Sequence, residues 1–396
     1  MNFLRRPAPI YFALFTASLA LSTGAGCYLY TTLPGPNVPT DFNVIFITVD
    51  GVRWQEFFNG GDPQLTPNPQ PLFTKFWSDI APRGTAYGNP SQGSQATVAN
   101  GVSISLPAYM NIFAGSAQNC IQNDCSRIQT QTFLDRIADE LGYTPMESAV
   151  FASWRQLAIA VSSRDDVATV NVSHQPYDDG SGDPELDQIN QDQVTDTPPW
   201  GPACPPGTPG PDAARPCGDV RWDKYTWRLG MRFLVQQRPR FMYLSLNDSD
   251  GWGHAGNYPA YVQSLQDYDD YLTELFETLD SMEEYGRNTA VILTTDHGRG
   301  NWDQWDWHGP AWPSSNKIFL YMKLPENGSW QVRPPSGTLV THSDIRPTVE
   351  TILGLGVRGG SELGTPLATP VNTQPTPESS LPTPAATPTG TEEVSE

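Results

Sequence analysis

Three short apolar runs, each ending at or just before an aspartate, limit what this chain can fold into. "NVIFITVD" (43–50), "RFMYLSLND" (240–248) and "AVILTTD" (290–296) are rich in β-branched residues and too short for ordinary helices, so they read as buried strands. Between and after them lie stretches with helical periodicity: "TFLDRIADELG", "VRWDKYTWRLGMRFLVQQ", "YVQSLQDYDDYLTELFETLDSMEEYG" and "SDIRPTVETILG". Strands alternating with helices predict a three-layer α/β/α fold with a mostly parallel central sheet. In such sheets ligands bind beyond the carboxyl ends of the strands, so acids placed at several strand ends converge on one cleft.

Those acids have imidazole companions. Asp50 closes the first run, Asp250 and His254 stand four apart in "DGWGH", Asp296 and His297 end the last run, and His308 follows on a loop. Gly51, Gly251, Gly253 and Gly298 beside them permit tight turns. Each aspartate alone fits a cap or turn role, but three of the five histidines sit beside strand-end acids. The six side chains divide into two sets of three, which predicts two divalent metal ions. Mixed imidazole and carboxylate sets suit zinc first, with manganese or iron after it, whereas carboxylates alone would favour magnesium or calcium. "SLPAYMNIFAG" (105–115) offers a hydroxyl, Ser105, at the start of a helix whose N-terminus faces an anion. A plain helix-capping serine is the other reading of that segment.

Composition bounds the setting. A formal charge of −20, from 23 basic and 43 acidic residues, argues against nucleic-acid binding. "MNFLRR" followed by "APIYFALFTASLALS" and the small residues before Cys27 reads as a signal peptide over 1–26. Cys27 then looks like the lipid-bearing first residue of an exported, membrane-anchored lipoprotein, with an uncleaved anchor or ordinary cleavage as alternatives. The four remaining cysteines pair by proximity as Cys120–Cys125 and Cys204–Cys217 in an oxidising compartment. Residues 27–40 read as a tether, 41–365 as one domain with a surface insertion or cap at about 165–218, and 366–396 as a Pro/Thr-rich tail.

In chain order, "VIFITVDGVRW", "SLPAYMNIFAG", "DSDGWGHAG", "TTDHGRG" and "WHGP" resemble the motif series of the alkaline phosphatase superfamily, nearest its nucleotide pyrophosphatase/phosphodiesterase-like branch. The resemblance implies an alkaline phosphatase-like fold, with Asp50, Ser105, Asp296 and His297 around one metal and Asp250, His254 and His308 around the other. Ser105 would then be the nucleophile toward a small phosphoric ester, and Asn111 and Arg53 are candidates to contact phosphoryl oxygens. His308 is preferred over His342 as third ligand, because His342 more naturally caps the helix after it. Trp302, Trp305, Trp307 and Trp312 could wall the site or simply pack.

Three departures from the pattern bear on substrate. Serine stands at 105 where the phosphodiesterase branch more often has threonine. "AQNCIQNDC" replaces the usual segment after the nucleophile. Tyr109 occupies the place where a formylglycine sulfatase needs arginine. The expected activity is metal-dependent hydrolysis of phosphoric mono- or diesters. Sulfate-ester or phosphonate hydrolysis, phosphotransfer and a non-catalytic surface lipoprotein are the competing readings.

Overall fold

The computed structural model describes residues 40–199, 219–356 and 363–371. All three apolar runs form strands: β1 is Asn43–Val49, β5 is Phe241–Leu246 and β6 is Thr289–Thr294. With β2 (Thr85–Tyr87), β3 (Ser148–Ala152), β4 (Thr169–Val172) and β7 (Leu320–Lys323) they build a seven-stranded sheet in the order β2-β7-β6-β1-β5-β3-β4. Strand β1 pairs in parallel with both β5 and β6, and β3 in parallel with β4 and β5. Only β7, against β6 and β2, runs antiparallel. The sheet is therefore mostly parallel, as expected.

Strand alternation sorts side chains onto two covered faces, which is why the strands read as continuous apolar runs. Val44, Phe46, Tyr243 and Ile292 share one core with Leu106, Tyr109 and Phe113 of α1 (Ser105–Ala114). Ile45, Ile47, Leu244 and Leu293 share the other with Trp227 of α2 (Asp223–Gln237). A short helix, α3 (Asp248–His254), leads into α4 (Tyr258–Ser281), whose Tyr261 and Leu265 also join that second core. Helix α5 (Ile345–Ile352) packs Val349 and Ile352 into the first. Three layers result.

Two boundaries differ from the sequence reading. Residues 165–218 are not all insertion, because β4 within them is the edge strand of the main sheet. Its four residues are half polar and only partly buried, too weak a pattern to register as a strand. The helix Pro184–Thr195 in the same stretch also buries Leu186 and Ile189 in the second core. The ordered domain also runs past 365: Ala368–Pro370 pairs antiparallel with Trp330–Val332. Leu367 is buried, and its N–H donates to the Thr348 hydroxyl at 2.9 Å. Two apolar residues sufficed because a neighbouring strand satisfied the backbone.

Cys120 and Cys125 are joined in a disulfide. The expected signal segment over 1–26, Cys27, residues 28–39, Cys204, Cys217 and residues 372–396 lie outside the described residues. Among the described residues no helix is long and apolar enough to cross a membrane.

Candidate metal centre

Strands β5, β1 and β6 are neighbours in register, Thr48 lying opposite both Ser245 and Thr294. Their carboxyl ends therefore open side by side and deliver Asp50, helix α3 and Asp296 to one place. Gly51, at φ +66, turns the chain sharply after Asp50, and a Cβ there would stand 2.7 Å from Asp250 Oδ1. On α3 the four-residue spacing puts Asp250 and His254 on one face.

The six expected ligands assemble into two adjoining groups. In the first, His297 Nε2 lies 3.6 Å from Asp50 Oδ1, 3.4 Å from Asp296 Oδ2 and 3.2 Å from Ser105 Oγ. In the second, His254 Nε2 lies 3.3 Å from Asp250 Oδ2 and 3.0 Å from His308 Nε2, which is 4.0 Å from Asp250 Oδ1. His297 also stands within metal-sharing reach of Asp250 and His308, and its ring stacks on that of His308 at 3.9 Å. Donors on one tetrahedral zinc, each at about 2.0–2.1 Å, would be about 3.4 Å apart. The separations in the two groups, 3.4–3.6 Å and 3.0–4.0 Å, bracket that spacing.

The carboxylates and imidazoles are also prepared for cations. Asp50 Oδ2 accepts from the Tyr109 hydroxyl at 3.0 Å, and Asp296 Oδ1 accepts from the N–H groups of Gly51 and His297 at 3.0 and 2.8 Å. The remaining oxygens, Asp50 Oδ1 and Asp296 Oδ2, are buried with no hydrogen-bond partner. Buried oxygens are rarely left so, and both face His297. His297 Nδ1–H donates to the Gly298 carbonyl and His308 Nδ1–H to that of Ser103, each at 2.9 Å. Both rings are thereby held in the tautomer that leaves Nε2 free to ligate. Ser103 adopts φ +50, a strained backbone for serine, in presenting that carbonyl.

Without a cation the cluster resists its own charge. Burial, joined by the charges of Asp296 and Asp250, raises Asp50 well above the carboxylate range, and burial lifts Asp296 to about 7. Burial likewise lowers His297 to about 4 and His308 to about 3, so both stay neutral. Three carboxylates close together with one buried guanidinium, Arg299, invite divalent cations. The donor set and the two partnerless oxygens fit a pair of metal ions.

Ser105 is the first residue of α1, and Ile104 takes the capping position; no side-chain cap is formed there. The serine hydroxyl instead faces His297, so the capping reading does not hold. Asn111 is misplaced as a substrate contact. Six residues along α1 carry it about 9 Å from Ser105, and its Oδ1 accepts from the N–H of Gln118 at 2.8 Å. Arg53 is likewise taken up elsewhere, its buried guanidinium bonded to Glu56 at 2.8 Å and Asp62 at 3.0 Å. His342 stands outside both groups and does not cap: Thr341 and Asp344 form the capping box, and His342 Nε2 donates to the Thr295 carbonyl at 3.0 Å. Trp305 packs on Tyr258 and Tyr261, while Trp307 is 54% exposed and stacks on Trp312.

Sequence reasoning missed three contributors. Tyr109 braces Asp50. Asn123, inside the disulfide loop, accepts the Leu106 N–H at 3.0 Å and so sits at the mouth of α1 beside Ser105. The stapled "CIQNDC" was its one visible signal. Arg299 bonds to Asp250; nothing in "DHGRG" marked that arginine as buried.

Residues 154–322 match the model of the family described as type I phosphodiesterase / nucleotide pyrophosphatase. That span holds five of the six ligands and leaves Asp50 and Ser105 outside it. Over 139 residues, 35% of this chain, the sequence is 26% identical to a 2,3-bisphosphoglycerate-independent phosphoglycerate mutase of Haloarcula marismortui, of whose length the match spans 25%. Among solved structures, the lipoteichoic acid synthase LtaP of Listeria monocytogenes is similar at TM-score 0.51 and 12% identity, over 83% of this chain and 75% of that one. The structure of Ps i-CgsB is similar at TM-score 0.50 and 15% identity, over 82% and 74%. At these identities the structural likeness speaks for the fold.

Proposed function

We propose that this protein is a member of the alkaline phosphatase superfamily, related through residues 154–322 to its phosphodiesterase branch, and that it is a two-metal hydrolase of phosphoric esters with Ser105 as nucleophile. The observation that carries the reading is the Ser105 hydroxyl. It lies 3.2 Å from His297 Nε2, at the edge of a group whose two free carboxylate oxygens have no other partner.

Asp50, Asp296 and His297 would hold one ion, and Asp250, His254 and His308 the other. When bound, the pair would supply Lewis acidity, making the Ser105 hydroxyl acidic and balancing charge on the phosphoryl and leaving oxygens. Ser105 Oγ attacks phosphorus, the bond to the leaving oxygen breaks, and the phosphoryl group is carried on the serine until water releases it. Tyr109, through Asp50, and the Gly51 and His297 amides, through Asp296, keep the carboxylates from swinging. Asn123 stands where α1 begins, so its amide group is close to the incoming phosphoryl oxygens.

Tyr109 adds to the case against a formylglycine sulfatase, since its hydroxyl serves Asp50 in place of an arginine in the maturation motif. The leader and Cys27 support export and lipid anchoring, which a Cys27→Ala variant appearing in the soluble fraction would test. The activity is tested with chromogenic phosphate monoesters, diesters and a sulfate ester, each with added zinc or manganese. Turnover of a phosphoric ester is expected; turnover of the sulfate ester alone, or of none, would overturn the reading.

A further inference from the structure

Arg299 is almost fully buried two residues beyond His297, yet it lies in neither ligand group. Its guanidinium reaches three segments at once. Nε donates to the Gly51 carbonyl at 3.1 Å, Nη1 to the Asp306 carbonyl at 3.0 Å, and Nη2 to the Asp250 carbonyl at 2.9 Å and to Asp250 Oδ1. Gly51 follows Asp50, and Asp306 stands two residues before His308. Counting its own loop, one planar cation ties together every segment, apart from that of Ser105, that brings a group to the centre.

Two missing side chains make room for it. A Cβ on Gly253 would stand 2.3 Å from Arg299 Cζ, and one on Gly51 would stand 3.0 Å from Nη2. An arginine that pairs fork-to-fork with a carboxylate engages both oxygens. Here three of the five donors go to carbonyls and one to Asp250, and only Oδ1 of that carboxylate is engaged. Oδ2 is left turned toward His254 at 3.3 Å.

We propose that Arg299 is the positioning residue of this centre: by holding Asp250 Oδ1 it presents Oδ2 as a single donor to the second ion, and so sets the Asp250–His254–His308 group directly, while it reaches the Asp50–Asp296–His297 group only through the Gly51 carbonyl. The inference rests on the two-metal reading. It predicts unequal damage: losing Arg299 frees the Asp250 carboxylate itself, whereas Asp50 keeps Tyr109 and Asp296 keeps the His297 and Gly51 amides, Gly51 losing only the partner of its carbonyl. A lysine could neutralise Asp250 but could not span three carbonyls and a carboxylate.

The test is zinc binding to the full chain by equilibrium dialysis, with cobalt as a spectroscopic stand-in. The wild type is expected to hold two ions; if it holds fewer, the two-metal reading itself fails. In Arg299→Gln the second ion should bind about 10- to 100-fold more weakly while the first is unchanged, the range seen when supports of metal ligands are removed. Arg299→Lys should not rescue it. Gly253→Ala keeps the guanidinium and all six ligands but displaces Cζ, and should reproduce the loss of the second ion alone. Two ions at wild-type affinity in either folded variant would overturn the proposal. So would loss of both ions, or failure of both variants to fold, because Arg299 would then be a determinant of the fold and not of one ligand group.

Discussion

Replacing Ser105 with alanine separates chemistry from architecture at this centre. The hydroxyl is buried, caps nothing, and makes one hydrogen bond, to His297 Nε2 at 3.2 Å. Losing that bond costs about 0.5–1.5 kcal/mol, and alanine's higher helix propensity returns roughly 0.5 kcal/mol. The net loss is about 1 kcal/mol or less, a fall in Tm of no more than about 4 °C for a chain this long. All six metal ligands remain, so metal content should hold at the wild-type level. Turnover should not: without the covalent route kcat is expected to drop by about 10³-fold or more, equivalent to about 4 kcal/mol of barrier. The assay is kcat on the best chromogenic ester, with bound metal measured on the same samples. A kcat within about tenfold of wild type, with both ions present, would refute Ser105 as nucleophile. The hydroxyl of Ser103, two residues upstream and also buried, would be tested next.

Asp296→Ala should fail differently, losing the first ion together with activity, which metal analysis of the purified variant would show. Reductant should lower kcat/KM, because opening Cys120–Cys125 frees Asn123 from Leu106; a fall in Tm with kcat/KM unchanged would argue that the staple serves stability alone. Asp135 should make stability depend on acid pH. Burial raises its carboxyl, but the Ser162 hydroxyl and the Thr132 and Ser163 amides more than offset this and leave it below the usual range. A depressed folded value contributes stability that is complete above the unfolded carboxylate value, about 3.9, and is lost as pH falls through the folded one. The Tm gap between wild type and Asp135→Asn should therefore be widest near neutrality and close on acidification.

The sheet and the meeting of the six Asp and His side chains at its edge were legible because both follow local rules. Runs such as "NVIFITV" are apolar at five of seven positions, on both faces, as a strand covered on both sides requires, and the acids that end such runs open onto the same edge. Ser105 could be read as a nucleophile but not told apart from a cap, since that depends on where His297 points. Asn111 and Arg53 failed for a related reason. A polar residue near a site in sequence can be claimed by a neighbour, as Glu56 and Asp62 claim Arg53, or carried off along its helix, as Asn111 is. Arg299 was invisible because its burial depends on two glycines, one almost 250 residues away, leaving space for it. Strand β4 escaped because an edge strand needs little apolar content.

The placement of Asp50 and Asp296 beyond the innermost strands has a consequence for how the molecule opens. Amides in β1, β5 and β6 are held on both sides by other strands, so their exchange with solvent deuterium should proceed through unfolding of the whole domain and not through local fraying. An ion bound at their carboxyl ends binds the folded domain and not the unfolded chain, so it should slow exchange across all three strands together. The edges, Thr85–Tyr87 and Thr169–Val172, can breathe without disturbing a ligand. Chelation should thus appear in an exchange map as uniform weakening at the middle of the sheet, with little change at its margins.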